Sequence, residues 1–249
     1  MIQNSQKTGL TPKMRKNSFE LAAWQAGRLV VGLDEVGRGC LAGPLVTAAV
    51  MLPLGKAHRQ LKDSKVMEPE ERVIAYRWII KNCHYGIGIA HHRLIDEHNI
   101  WGANLIAMQK ALLQLMAIAP ERPVAILTDA VPLKLLDTAY RDIPVHSFPK
   151  GEKYSSSIAA ASILAKVTRD AMMEKLDTVF PGYKLAQHKG YSTAIHQTAV
   201  RSMGPSIIHR MSFLKNILQA QKMEIQSNMF APTHSHETIE YKISEEHLL

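Results

Sequence analysis

An α/β fold is what this sequence predicts, and three observations carry the prediction. Short aliphatic and β-branched runs such as Leu29–Leu33, Leu45–Leu52 and Pro123–Asp129 have the length and composition of buried strands. Between and after them lie longer segments, above all the one from Ser155 to Pro181, in which apolar residues recur at helical spacing. The 249 residues suffice for one domain of the larger α/β kind with appendages.

Taken in order, residues 1–17 are polar and aperiodic and read as a flexible basic arm. Ser18 is placed to cap a short helix over Phe19–Gln25, which Gly27 stops in a left-handed turn. The first strand runs to Leu33 and the second covers Leu45–Leu52 before Pro53 and Gly55; the short loop between them predicts an antiparallel hairpin. Lys62-Asp63-Ser64-Lys65 is a polar turn. Glu68-Pro69-Glu70-Glu71 opens a helix that ends near Asn82, with Pro in the first turn and acids at the positive helix end.

His84–His92 reads as a third strand, with Ile87 and Ile89 on one face and Gly86 and Gly88 on the other. Ile100, Ala103, Asn104, Ala107, Met108, Ala111 and Met116 predict a helix over about Asp96–Ala117. Pro123–Asp129 is a fourth strand ending in an acid, and Ile143–Phe148 supplies a fifth. The serines 155–157 start the most clearly periodic helix, whose small residues Ala159–Ala161 permit close packing on a sheet. Gln187–Tyr191 is a polar loop, and Ser192 or Thr193 caps a helix over Ala194–Met203. Phe213 to about Ile225 is amphipathic, and the acidic tail beyond it reads as weakly structured.

Charged residues at 21% and hydrophobic ones at 46% are the proportions of a folded globular protein. No apolar run approaches the roughly 20 residues of a membrane span, and the N-terminal stretch lacks the apolar core of a secretory signal. Cys40 and Cys83 are too few for a disulfide framework or a zinc site, which favours a reducing cytoplasm. The net charge of +8 points to a polyanionic partner. Basic residues crowd the N-terminal arm (Lys7, Lys13, Arg15, Lys16), whereas Glu237, Glu240, Glu245 and Glu246 make the other end acidic, so that end is not the binding face.

The chemistry concentrates in Leu29–Val50, where a buried run meets Asp34 and Glu35 and then the glycines Gly37, Gly39 and Gly43 around Arg38. Two adjacent acids do not continue a buried strand without compensation, and a metal ion is a common one. Asp129 ends another strand in the same way. If the two strands are neighbours, three carboxylates meet, and their repulsion calls for divalent cations. Oxygen donors without His or Cys spacing favour Mg²⁺ or Mn²⁺ over zinc. Two such ions about 4 Å apart activate water and stabilise a leaving oxygen in phosphodiester cleavage. Glu152, in a glycine turn before the serine-capped helix, is a fourth candidate. Asp63, Asp96, Asp137 and Asp142 read as turn or surface residues, and Asp170 as a charge paired with Arg169 or Lys166.

The blocks GLDEVGRGCLAGPLVTAAV (32–50), KDSK (62–65), ILTDA (126–130), SIAAASILAKVTRD (157–170), HKGYST (188–193) and HRMSF (209–213) resemble, in order and spacing, those of the bacterial ribonuclease HII family. The resemblance covers about residues 18–214, which would be the catalytic domain including its helical C-terminal part, leaving 215–249 as a terminal helix and tail. It implies a ribonuclease H-like fold: a mixed five-stranded sheet flanked by helices, with a small helical C-terminal region. It also implies hydrolysis of the RNA strand of RNA/DNA hybrids and cutting 5′ to a single ribonucleotide in duplex DNA, leaving 3′-hydroxyl and 5′-phosphate ends.

By the same resemblance Asp34, Glu35 and Asp129 match the metal-binding acids. The family's fourth acid is usually Asp, where this chain has Glu152 in Lys150-Gly151-Glu152. Gly37, Arg38 and Gly39 match the element that contacts the 2′-hydroxyl and adjacent phosphate, and Tyr191 matches the tyrosine that packs on the sugar at the junction. Lys65, Lys166, Lys189 and Arg210 fall in blocks that would contact phosphates, whereas His188 and His209 read as structural. The sister type 3 enzymes usually carry Thr where Arg38 stands, and a larger N-terminal domain. A monomer is expected. Two rivals remain at this stage: a non-catalytic basic nucleic-acid-binding module, and a DNA nuclease of the same fold.

Overall fold

The computed structural model describes residues 15–62, 64–135 and 138–219. Five strands, β1 (Val30–Val36), β2 (Leu45–Met51), β3 (His84–Ala90), β4 (Ala125–Asp129) and β5 (Val145–Phe148), form one sheet of order β3-β2-β1-β4-β5. β1 pairs antiparallel with β2 and parallel with β4; β2 and β3 are antiparallel, and β4 and β5 parallel. The predicted hairpin and mixed sheet are therefore present. The helices are α1 (Ser18–Gln25), α2 (Pro69–Asn82), α3 (His92–Ile118), α4 (Ser156–Val179), α5 (Leu185–His188) and α6 (Ala194–Met203), with a 3₁₀ turn at Gly151–Lys153. Residues 211–219 form a further helix, α7. Residues 1–14 of the N-terminal arm, Asp63, Leu136, Asp137 and the tail from 220 onward lie outside the described residues.

Strand β2 shows how the layers arise. Its alternate residues Val46, Ala48 and Val50 pack against α2 and the alanine-rich stretch Ala159–Ala161 of α4. Ala49 and Met51 point the other way, toward Met108, Ala111, Leu112 and Leu115 of α3. Both faces are thus buried, which is why the runs are continuously apolar rather than alternating. Missing side chains let the helices sit close. A Cβ on Gly32 would lie 2.2 Å from the backbone of Ser157, and one on Gly88 would lie 1.9 Å from the Ala107 carbonyl. The glycine face of β3 is thus where α3 rests.

Several boundaries differ from the sequence reading. β1 continues through Asp34 and Glu35 to Val36, because the antiparallel partner β2 supplies hydrogen bonds along that length. Asn17, not Ser18, is the N-cap of α1; its side chain accepts from the Ser156 amide instead of capping its own helix. α3 starts at His92 rather than near Asp96, and bends at Asn99, whose φ of 55° breaks the helix while its Oδ1 accepts from the Trp101 and Gly102 amides. Part of the expected polar loop is the short helix α5. Asp96 is more than a surface acid: its carboxylate accepts from the Met211 and Ser212 amides and so caps α7. The capping box at Glu68, the Ser155 cap of α4 and the Thr193 cap of α6 match their sequence signals.

Replacing Gly88 by Ala drives a Cβ into the α3 backbone, which cannot give way as a flexible side chain would. We expect a destabilisation of about 1–3 kcal/mol, measured as a lowered urea midpoint with an unchanged m-value.

Candidate active site

The central strand delivers the acids. Leu33 lies opposite Thr128 in the parallel β1–β4 ladder, so Asp34 and Asp129 stand one residue further along, at the same end of neighbouring strands. Asp34 is 7% exposed. Its Oδ1 accepts from the Glu35 amide at 2.8 Å, and the Ser162 hydroxyl of α4 also supports it. Burial, then the neighbouring Glu35 charge, hold its carboxyl well above the usual range. Burial also raises Glu35, against the opposing pull of Arg38, whose Nη1 lies 3.3 Å from Oε1, and of the buried Asn104 amide. The charge of Asp129 pushes both upward.

Asp129 Oδ1 accepts from the Gly151 amide at 2.9 Å, which ties the 3₁₀ turn to the end of β4. Glu152, next in that turn, is 6% exposed. Asp34, Glu35 and Asp129 thus stand at the C-terminal ends of the neighbouring strands β1 and β4, and the turn that carries Glu152 is tied to Asp129. As they stand, the three strand acids face local donors: Asp34 the Glu35 amide, Glu35 the Arg38 guanidinium, and Asp129 the Gly151 amide. Among the described residues, accordingly, no three His, Cys, Asp or Glu side chains converge as a closed metal cage. In chemistry the set suits a hard divalent cation, being all oxygen and self-repelling.

Beside the acids opens a cleft of about 640 Å³ lined by Glu35, Gly37, Arg38, Gly39, Lys65, Lys166 and Tyr191, among others. All five predicted substrate-side residues therefore share it. The glycines divide the labour differently from expectation. Gly37 has φ +97°, and a Cβ there would lie 2.2 Å from Arg169 Nε; at Gly43 (φ +81°) it would lie 2.3 Å from Met173 Sδ. Both make room for the protein itself. A Cβ on Gly39 would meet nothing within 4 Å, so the protein interior imposes no reason for glycine there. Tyr191 is not a core aromatic: it is 40% exposed, with Lys166 Nζ and Arg169 Cζ 5.9 and 5.8 Å from its ring centroid.

The other basic candidates separate. Lys166 faces the cleft while bonding Asp170 at 3.0 Å, the pairing expected of that acid. Lys189 bonds Glu174 and the Ala186 carbonyl. Arg210 is fully buried and donates to the carbonyls of Gly43 and Arg38, so it holds the glycine loop rather than a phosphate. Arg169 does the same from α4, donating to Pro44, Lys189 and Ala42. Sequence reading overlooked Ser162 and Asn104, and Ser64, whose Oγ lies 2.8 Å from that of Ser162. A polar residue at an inward position of an otherwise apolar helix face was the available signal. His188 and His209 are buried and structural, as read.

This sheet order, with a carboxylate pair on the central strand and a third acid at the end of its parallel neighbour, defines a nuclease of the ribonuclease H class. Residues 31–216 match the family described as Ribonuclease HII. A ribonuclease HII from Alkaliphilus metalliredigens is 43% identical over 210 residues, 83% of this chain and the whole of that relative. Among solved structures, Bst-RNase HIII in complex with Mn²⁺ is similar with a TM-score of 0.64 at 24% identity, covering 79% of this chain and 71% of that one. The Archaeoglobus fulgidus PCNA:RNase HII complex matches with a TM-score of 0.59 at 26% identity, over 76% of this chain and 96% of that one. The chain belongs to the ribonuclease HII family and is an enzyme of the ribonuclease H type.

The charge on Asp34 is disfavoured in the fold, since its carboxyl there sits above the ordinary 3.8. The unfolded chain ionises first, so this group costs stability as pH rises past that value. With divalent ions removed by chelator at neutral pH, Asp34→Asn should therefore raise Tm, by roughly 3 °C or more. A calorimetric Tm unchanged or lowered relative to the unsubstituted protein would contradict the proposed electrostatic strain.

Proposed function

We propose that this enzyme hydrolyses the RNA strand of RNA/DNA hybrids and cuts 5′ to single ribonucleotides embedded in duplex DNA, leaving 3′-hydroxyl and 5′-phosphate ends. The observation that carries the reading is the continuity of β1 with the cleft: one segment supplies Asp34 and Glu35 and then, within a few residues, the Gly37–Gly39 turn opposite Tyr191. Cutting and sugar reading are thereby held in one register.

Asp34, Glu35, Asp129 and Glu152 would hold Mg²⁺ or Mn²⁺ as a two-ion site. When bound, such ions supply an activated water and stabilise the departing 3′-oxygen. The chain's own groups do the rest. Arg38 and Lys65 bind the phosphates on either side of the scissile bond, and a duplex held by such contacts weakens with added salt. The Gly39 backbone approaches the ribose closely enough for its polar groups to meet the 2′-hydroxyl, and the exposed Tyr191 ring packs on the following deoxyribose. An extra 2′-hydroxyl there, or its absence at the ribose, leaves polar groups unmatched, which is how a site of this kind discriminates.

We place the catalytic unit at residues 18–214, acting as a monomer in the cytoplasm. The two cysteines are free and buried, and no described helix is long and apolar enough to cross a membrane.

The direct test is a DNA duplex carrying one ribonucleotide, incubated with Mg²⁺, Mn²⁺ or chelator. We expect metal-dependent cleavage at the 5′ side of the ribose, and absence of that cut with either ion would sink the reading. Gly39→Ala should keep the parent Tm, since nothing lies within 4 Å of the added methyl, yet raise KM at least about tenfold by blocking the sugar. Gly37→Ala should instead lower Tm, because its methyl meets Arg169.

A further inference from the structure

Behind Tyr191 lie three buried histidines that the catalytic account does not use. His196 and His209 are 0% and 1% exposed. His188 stacks on His196 with ring centroids 4.3 Å apart. Their hydrogen bonds leave one consistent arrangement of protons. His209 Nδ1 receives the Ser206 amide at 3.0 Å; a backbone N–H can only donate, so this nitrogen is bare. The proton of a neutral His209 therefore sits on Nε2, which lies 3.0 Å from His196 Nε2 and donates to it. His196 then carries its own proton on Nδ1 and donates it to the Tyr191 carbonyl, 2.9 Å away.

The opposite choice fails twice. A proton on His209 Nδ1 would face the Ser206 N–H, and a bare His196 Nδ1 would face the Tyr191 carbonyl oxygen. The same logic sets His188: its Nδ1 accepts from the Gly190 amide, so Nε2–H donates to the Tyr183 carbonyl at 2.7 Å. Burial keeps the two relay rings neutral, pushing His209 down to about 4 and lowering His196 as well. The result is a one-way chain, Ser206 N–H to His209 to His196 to the Tyr191 carbonyl, running from the segment before α7 to the wall of the cleft.

We propose that His196, oriented by His209, is a positioning residue for Tyr191, fixing the backbone from which that ring meets the sugar. The inference rests on the reading of Tyr191 as the sugar-contacting side chain. Among the described residues the Tyr191 carbonyl otherwise receives only the Thr193 amide, while the Tyr191 N–H donates to the His188 carbonyl and its backbone bridges Cys40; the His196 bond is the side-chain donor to that carbonyl. Loss of the His196 bond removes one of the two donors that fix this carbonyl and so loosens the turn at Tyr191.

Side-chain amides separate the two ends of the relay. Asn places its amide N–H donor where His Nδ1 lies, whereas Gln places its amide oxygen, an acceptor for the His209 Nε2–H, where Nε2 lies. His196→Asn retains the bond to Tyr191, and His196→Gln keeps only the link to His209. We expect His196→Gln to raise KM for a duplex with a single ribonucleotide about tenfold, with kcat changed less than about threefold, and His196→Asn to restore KM to within about twofold. Equal loss in both variants, or a fall in kcat at constant KM, would overturn the proposal. Tyr191→Ala is measured alongside. If it leaves the KM for that duplex unchanged, the sugar-reading role fails and the positioning role falls with it; if it raises KM while His196→Gln does not, only the positioning role fails. Because substitution at a buried site can prevent folding, the unsubstituted enzyme provides a second measurement. Imidazole ¹⁵N spectra should show the Nδ1–H form for His196 and the Nε2–H form for His209, and the reverse pair would refute the relay.

Discussion

The rest of the structure depends on one electrostatic constraint: a pair of carboxylates on a strand that is covered on both faces and paired on both edges. Asp34 and Glu35 lie on β1, between β2 and β4. Charge in that position is costly unless every oxygen has a donor or a cation. Among the described residues Glu35 Oε2 and the Asn104 amide are left without a hydrogen-bond partner. The surroundings otherwise supply donors piecemeal, an amide for Asp34 and a guanidinium for Glu35, with the Ser162 hydroxyl from α4 and the Asn104 amide from α3 nearby. These come from both layers of helices, so the packing of α3 and α4 on the sheet is also what sets the polar environment of the acids. The close approach at Gly32 and Gly88 has a functional consequence for this reason.

The strands and helices were largely legible, because both faces of the sheet are buried and periodicity reports burial directly. Caps with a side-chain signal, Glu68, Ser155 and Thr193, were readable for the same local reason. What escaped depends on tertiary partners. Asn17 caps nothing in its own helix because its side chain serves α4. The extension of β1 through the acids reflects pairing with β2, which residue composition alone opposes. Asp96 looked like a surface acid until α7 arrived to use it.

The acid set was legible as a pattern of residue types at strand ends, and the cleft residues through the block resemblance. The roles of the arginines were not. Arg210 invites a phosphate reading and Arg169 a pairing with Asp170, yet both donate to backbone carbonyls and are fully buried. Their sequence context does not distinguish them from Lys65 or Arg38. The distinction lies in the number of carbonyls a loop with three glycines leaves without strand partners, and that is known only once the loop is folded.

Those two arginines also explain why the C-terminal helices are part of the site. Arg169 reaches from α4 and Arg210 from the segment before α7, and both end on the 38–44 loop. Among the described residues neither forms an ion pair, and both lie buried beneath the 38–44 loop. Burial lowers the Arg210 group to about 10, still far above neutral pH, so the charge persists. The loop carbonyls are satisfied by these cations and the opposite wall by the histidine chain that ends on Tyr191. The ends of β1 and β4 supply the acids, but the cleft beside them is assembled from segments more than 140 residues apart, from Gly39 to Arg210. Removing the helical C-terminal part would therefore leave the carboxylates on their strands and dismantle the wall of the cleft beside them.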